Sequence, residues 1–188
     1  FGWSVKDTLF ETDQNDSMER LDFGYSQSKW VSEQLVFTAM KHGLKARVFR
    51  PALISPSING DGYNFDISIR LLAFMLKHGI GTLAQNQVSF TPADIGAHNM
   101  VAISQLKESQ GLTFHVTRDQ YASMKDITDI LAQLTGKTFQ QFSLSDFVPE
   151  VVGRCQKEAL LFPLLNFLVN SVENIGSMEF KLYSNSNY

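Results

Sequence analysis

The sequence predicts an α/β fold that contains parallel strands. Segments with apolar residues at helical spacing alternate along the chain with short strand-like runs, and Gly, Pro, Asn and Asp fall at the junctions between them. Helices alternating with short strands in this way indicate an α/β architecture containing parallel strands. At 188 residues the chain is long enough for one domain, or for one and a piece. It carries no internal repeat and no low-complexity linker.

Residues 1–22 are polar and irregular, with ETDQNDSMER at Glu11–Arg20 reading as a surface loop. From Gly24 or Tyr25 a helix is expected to run to about His42. Its apolar positions Trp30, Val31, Leu35, Val36, Ala39 and Met40 recur at helical spacing, and Gly43 suits the residue just past the end. KARVFR at Lys45–Arg50 reads as a strand stopped by Pro51. Residues 55–65, SPSINGDGYNF, form a loop, after which Asp66 is expected to cap the helix ISIRLLAFMLKH, ended by Gly79. VSFTP (88–92) reads as a strand, and Asp94 as the cap of a helix reaching about Ser104. LTFHVT (112–117) alternates like a strand. Ser123 with Asp126 forms a capping box ahead of MKDITDILAQLTG. TFQQFSL (138–144) reads as a strand, a helical stretch spans about Ser145–Asn170, and MEFKLYSNSNY (178–188) is a strand running into a polar tail.

Composition narrows the function classes. The chain is 44% hydrophobic and 19% charged with net charge −3, so no basic field argues for nucleic acid. One cysteine, Cys155, excludes an internal disulfide and fits a reducing, cytoplasmic compartment. The longest apolar run, ALLFPLLNFLV at Ala159–Val169, is shorter than the roughly 18 residues a spanning helix needs and contains Pro163 and Asn166. It reads as a buried or groove-lining helix, not a membrane span. His42, His78, His98 and His115 lack metal-ligand spacing. His42 and His78 precede helix-ending glycines, where an imidazolium suits the dipole. A chain that opens at Phe1, without an initiator methionine, is expected to be a piece of a longer protein.

The chemistry-bearing feature is GYSQSKWVSEQLV at Gly24–Val36. Tyr25 and Lys29, four residues apart on a helix, lie about 40° apart around its axis and one turn apart along it. A phenol with pKa near 10 is a poor proton donor at neutral pH. An adjacent ammonium favours the phenolate and brings tyrosine towards useful acid–base range. The spacing alone is unspecific, since it arises by chance in roughly a quarter of chains of this composition.

The residues beyond the pair are more specific. A Tyr-x-x-x-Lys helix succeeded by a strand and a proline-containing loop, here ARVFRPALI at Ala46–Ile54, resembles the short-chain dehydrogenase/reductases. GYSQSKWVSEQLV itself closely resembles the active-site helix of the thioester reductases, the terminal reductase domains of nonribosomal peptide and polyketide synthases, also found in carboxylic acid and aminoadipate reductases. The resemblance continues in FTPADIGAHNMVAIS (90–104), in TFHVT and the later SMKDITDILAQL, and in EALLFPLLNFL (158–168).

This resemblance implies the C-terminal part of a Rossmann-like extended short-chain dehydrogenase/reductase, with late sheet strands and a mainly helical substrate-binding subdomain. Residues 1–54 would be a remnant of the nucleotide-binding domain carrying the active-site helix. Residues 55–188 would be mainly the substrate-binding subdomain, with 94–117 returning to the nucleotide-binding sheet. NADPH would deliver hydride to a thioester carried on the phosphopantetheine arm of an acyl or peptidyl carrier protein. Tyr25 would serve the developing oxyanion, Lys29 would assist it and bind the ribose hydroxyls, and Pro51, Ala52, Leu53 and Ile54 would lie along the nicotinamide. The resulting thiohemiacetal would collapse to an aldehyde, which some relatives reduce again to the alcohol. Residues 59–82 and 145–170 are candidate walls for the acyl chain, with Phe74, Phe162 and Phe167 expected in the core.

Two family features are not found. No glycine-rich turn joins a strand to a helix: Gly60 and Gly62 lie in a loop and Gly79 and Gly81 come after a helix, so all four read as turn glycines. The family's serine or threonine would fall upstream of Phe1, and Ser4, the nearest hydroxyl, reads as a surface residue. Two other functions compete: a sugar-nucleotide epimerase or dehydratase of the same superfamily, and a carrier-protein recognition module without catalysis, for which Arg118, Lys125 and Lys137 are the available cations.

Overall fold

The computed structural model describes residues 6, 8–14, 17–19, 21, 24–62, 66–85, 87–169 and 182–188. The architecture is mixed α/β, and among the described residues four of the five strand pairs are parallel. The chain divides into two units, Phe1–Asn59 with Phe90–Arg118 and Lys181–Tyr188, and Gly60–Ser89 with Asp119–Phe180.

In the first unit, β1 (Thr8–Leu9) pairs with β10 (Leu182–Tyr183), β2 (Val48–Pro51) with β7 (Thr113–Val116), and β3 (Leu53–Ser55) with β6 (Phe90–Pro92). Helices α1 (Gly24–Lys41) and α3 (Ala93–Gln105) complete it. All four residues of β7 are buried, so this strand does not alternate in exposure as its sequence suggests; both of its faces are covered. Phe114 of β7 stacks on Phe49 of β2 at 5.3 Å. Gly96 brings α3 close to β6, since a Cβ there would stand 3.3 Å from the Thr91 methyl.

The strand expected to stop at Pro51 instead includes it and resumes one residue later with a new partner. Val48 N–H and Ala52 N–H both donate to β7 and the residue just before it, at 3.1 and 3.0 Å, so the N–H that proline lacks would point away from that ladder. Asp94 is also not a cap. The helix begins one residue before it, and its carboxylate accepts from Ile58 N–H at 3.2 Å. The short strand β1 lies within the segment read as irregular.

The second unit contains α2 (Ile67–His78), β4 (Ile80–Thr82), β5 (Gln87–Val88), β8 (Ala122–Ser123), α4 (Met124–Thr135), β9 (Gln140–Phe142) and α5 (Leu144–Arg154). Pairs β4–β9 and β5–β8 are parallel and antiparallel, respectively. Its core gathers Phe74, Met75, Ile80, Phe139, Phe147, Val151, Leu161 and Leu168. Burying each such side chain contributes about 1.5–3 kcal/mol. Capping follows local chemistry. Asp66 accepts from Ile69 N–H at 3.0 Å, Ser123 and Asp126 form the reciprocal capping box, and Gly79 and Gly136 end α2 and α4 with positive φ.

The structure departs from several expectations. The run VSFTP is two strands, β5 and β6, divided at the buried Ser89, because its halves pair with different partners. The helix expected over 145–170 starts at Leu144, capped by Ser143, and ends at Arg154, where Cys155 is extended. A short 3-10 turn at Phe162–Leu164, shaped by Pro163, precedes a new helical stretch from residue 165. Leu161 turns inward there and Phe162 outward, leaving Phe162 exposed and not in the core; Phe74 is buried. Gly81 is not a turn glycine. It lies in β4 at a place where the Thr128 methyl leaves no room for a Cβ. His78 is not a favoured imidazolium, because burial and the nearby Lys77 and Arg154 lower its pKa. Expectations for Ser4, residues 63–65, 170 and 178–181 fall outside the described residues.

Candidate active site

The first turns of α1 carry the pair singled out in the sequence. Lys29 Nζ stands 5.4 Å from the centroid of the Tyr25 ring, over its face. Tyr25 is 68% exposed and no residue of α1 is fully buried, so the phenol and the ammonium share an open helix face. Ser28 Oγ donates to Tyr25 O at 2.7 Å, and Ser32 Oγ to Ser28 O at 2.9 Å, which satisfies both hydroxyls within the helix. Gln27 Nε2 donates to Leu21 O at 2.8 Å and ties the incoming chain to the first turn.

Pro51 closes β2, Ala52 bridges to β3, and Leu53 and Ile54 begin β3 opposite Phe90 and Thr91. Pro51 and Ile54 are exposed, while Ala52 and Leu53 are half-buried. The strip is therefore mostly strand, not a loop.

Sequence reasoning missed the groups that join the helix to this strand. Arg50, immediately before the strip, forks onto Glu33 of α1, with Nε donating to Oε1 at 2.6 Å and Nη2 to Oε2 at 3.0 Å. Both side chains are largely withdrawn from solvent, and a bidentate pair of this kind is directional as well as strong. Arg50 Nη1 lies 3.4 Å from both Glu11 O and His115 Nε2. His115 Nδ1 is 2.8 Å from Ser184 O, and a carbonyl only accepts, so Nδ1 carries the proton and Nε2 faces Arg50 as acceptor. Burial, with Arg50 adding to it, lowers the His115 pKa against the opposing pull of the Ser184 hydrogen bond. Glu11, 4% exposed, accepts from His115 N–H at 2.9 Å and Asn187 N–H at 2.7 Å. The available signals were Glu33, four residues beyond Lys29 on the same stripe, and a histidine inside an apolar strand.

The sequence pattern of a family of NAD-binding domains, described as Male sterility protein, matches residues 3–100. The chain belongs to this family. Among curated relatives of the male sterility-type chain, the nonribosomal peptide synthetase asaC of Aspergillus flavus is 32% identical over 152 residues, covering 78% of this chain and 15% of that protein. L-2-aminoadipate reductase of Schizosaccharomyces pombe is 29% identical over 167 residues, covering 83% of this chain and 11% of that protein. The chain thus spans a small fraction of the relatives it matches. Its fold is that of the terminal R domain from the myxalamid PKS-NRPS biosynthetic pathway, with a TM-score of 0.86 at 22% identity, over 98% of this chain and 47% of that one. The resemblance read from GYSQSKWVSEQLV is borne out: relatives of this male sterility-type domain are reductases and peptide synthetases.

Membership implies a nicotinamide cofactor. Tyr25 and Lys29 offer a hydroxyl and an ammonium on one accessible helix face, donor chemistry suited to such a group. Among the described residues no glycine-rich strand-to-helix turn offers a pyrophosphate cradle; Gly60 and Gly62 occupy an open loop with positive φ. Among the same residues no group of His, Cys, Asp or Glu could hold a metal, and no helix is long and apolar enough to cross a membrane. Of the cations considered for carrier docking, Lys125 is paired with Asp129 at 2.5 Å and Lys137 reaches Leu76 O at 3.4 Å.

Proposed function

We propose that this chain is part of an NADPH-dependent reductase that releases a carrier-bound acyl or peptidyl thioester as an aldehyde. The observation that carries the reading is the Lys29 ammonium over the Tyr25 ring on an open stripe of α1, in a chain whose relatives include a peptide synthetase and an aminoadipate reductase. When bound, the reduced nicotinamide supplies a hydride. Tyr25 Oη donates a proton or hydrogen bond to the thioester oxygen as negative charge develops there. Lys29 stabilises the tyrosine as it gives up that proton, and its ammonium would hold the ribose hydroxyls. Pro51, Ala52, Leu53 and Ile54 would line the nicotinamide side of the site. The thiohemiacetal then releases the carrier thiol. Residues 1–54 and 94–117 serve cofactor binding in this reading, and the remainder of 55–188 serves the acyl chain and its phosphopantetheine arm.

The test is NADPH consumption with an acyl-pantetheine thioester in the full natural polypeptide, with and without Tyr25→Phe. We expect the substitution to lower kcat by about 10²-fold or more, the scale of a lost general acid. A Tyr25→Phe protein that turns over normally refutes the assignment.

A further inference from the structure

We propose that Glu33 and Arg50 are positioning residues that set the rotation of α1 and so aim Tyr25 and Lys29 at the strip beginning with Pro51. The inference rests on the reductase reading of Tyr25 and Lys29 and deepens it.

Residues 25, 29 and 33 are spaced by four, so they form one stripe on which each step turns about 40° and rises about 6 Å. Glu33, the third member of that stripe, is tied down by Arg50. Its two carboxylate oxygens meet two nitrogens of one guanidinium at 2.6 and 3.0 Å, and a planar fork on a planar carboxylate resists rotation about the helix axis in a way a single contact does not. The guanidinium is itself held, with Nη1 at 3.4 Å from Glu11 O and from His115 Nε2. His115 is 2% exposed and anchored through Nδ1 to Ser184 O. The clamp therefore ends on buried β7. Arg50 is also the residue next to Pro51, so one ion pair relates the helix stripe to the strand edge.

The leverage is large. A rotation of about 10° moves an atom roughly 6 Å from the helix axis by about 1 Å, and a displacement of that size at a reacting group can cost about 10²-fold in rate. Neither Glu33 nor Arg50 is proposed to touch substrate.

The test uses the full natural polypeptide with NADPH and an acyl-pantetheine thioester, comparing Glu33→Gln, Glu33→Ala, Arg50→Lys and Glu33→Ala/Arg50→Ala with Tyr25→Phe. Circular dichroism establishes which variants are folded at the assay temperature, and Glu33→Gln, which preserves shape and one hydrogen bond, serves if the alanine variants are not. We expect kcat to fall about tenfold in Glu33→Gln and Arg50→Lys and towards about 10²-fold in Glu33→Ala, with KM for the thioester within about twofold. The double variant should be no slower than Glu33→Ala. Amide exchange in the first turns of α1 should rise in parallel. Folded variants whose kcat stays within about twofold of wild type, even with a lowered melting temperature, reduce the pair to a structural role and overturn the inference. Loss confined to KM overturns it as well. A wild-type protein with no Tyr25-dependent turnover overturns the functional reading, and this inference with it; that outcome is told apart because Tyr25→Phe then equals wild type.

Discussion

Replacing Gly81 by alanine should destabilise the second unit, by an amount set by one neighbour. An ideal Cβ at this position would stand 2.2 Å from Thr128 Cγ2, 2.8 Å from its Oγ1 and 3.1 Å from its Cβ. Carbon atoms in packed interiors approach to about 3.5–4.0 Å, so the clash exceeds 1 Å. Thr128 has little freedom to yield. It is fully buried, its branched side chain has few helical rotamers, and its hydroxyl donates to Met124 O at 2.9 Å. Overpacking of this kind costs about 1–3 kcal/mol, and turning the hydroxyl away forfeits about 1 kcal/mol more. Removing a strand glycine returns about 0.5–1 kcal/mol through the unfolded state. The net is a loss of about 2 kcal/mol, or roughly 4–8 °C in Tm for a chain of this size. Urea unfolding of wild type, Gly81→Ala, Thr128→Ala and the double variant gives the coupling directly. In the Thr128→Ala background, where both nearest atoms are gone, the Gly81→Ala penalty should shrink to about 0.5 kcal/mol or less. An unchanged penalty in that background, or a single variant as stable as wild type, would refute the packing argument.

Two further outcomes are expected. Asp66→Ala removes the acceptor for Ile69 N–H at the start of α2, a helix that contributes Phe74 and Met75 to the core, and should cost about 1 kcal/mol, or roughly 2–4 °C in Tm; a Tm within about 1 °C of wild type counts against the cap. His115 and His78 both have pKa values lowered from 6.5, chiefly by burial. The unfolded chain therefore binds more protons than the folded one just below pH 6.5, so stability should fall as pH drops through that window. Urea midpoints measured at about pH 7.5, 6.5 and 5.5 check the sign, and a midpoint that rises on acidification contradicts it.

Many features that depend on neighbours within one turn of chain were legible in the sequence, although the Ser143 cap of α5 was not. Helix α1, the Asp66 cap, the Ser123–Asp126 capping box and the helix-ending Gly79 and Gly136 all arise from periodicity and from side chains reaching backbone groups three or four residues away. The Tyr25–Lys29 pair belongs with them, because helix geometry alone brings residues four apart together. The family resemblance came from the longer run of matching residues.

The features that the tertiary structure alone decided involve partners far apart in the chain. Glu11 meets His115 across 104 residues and Asn187 across 176, and no local pattern announces either contact. The same is true of Arg50 on Glu33, of the change of partner at Ala52, and of the close approach that makes Gly81 a packing residue instead of a turn. A glycine or an arginine in a sequence states what it is able to do. Which of those abilities is used depends on what the fold places beside it, through contacts whose loop-closure entropy is repaid only when the whole unit forms.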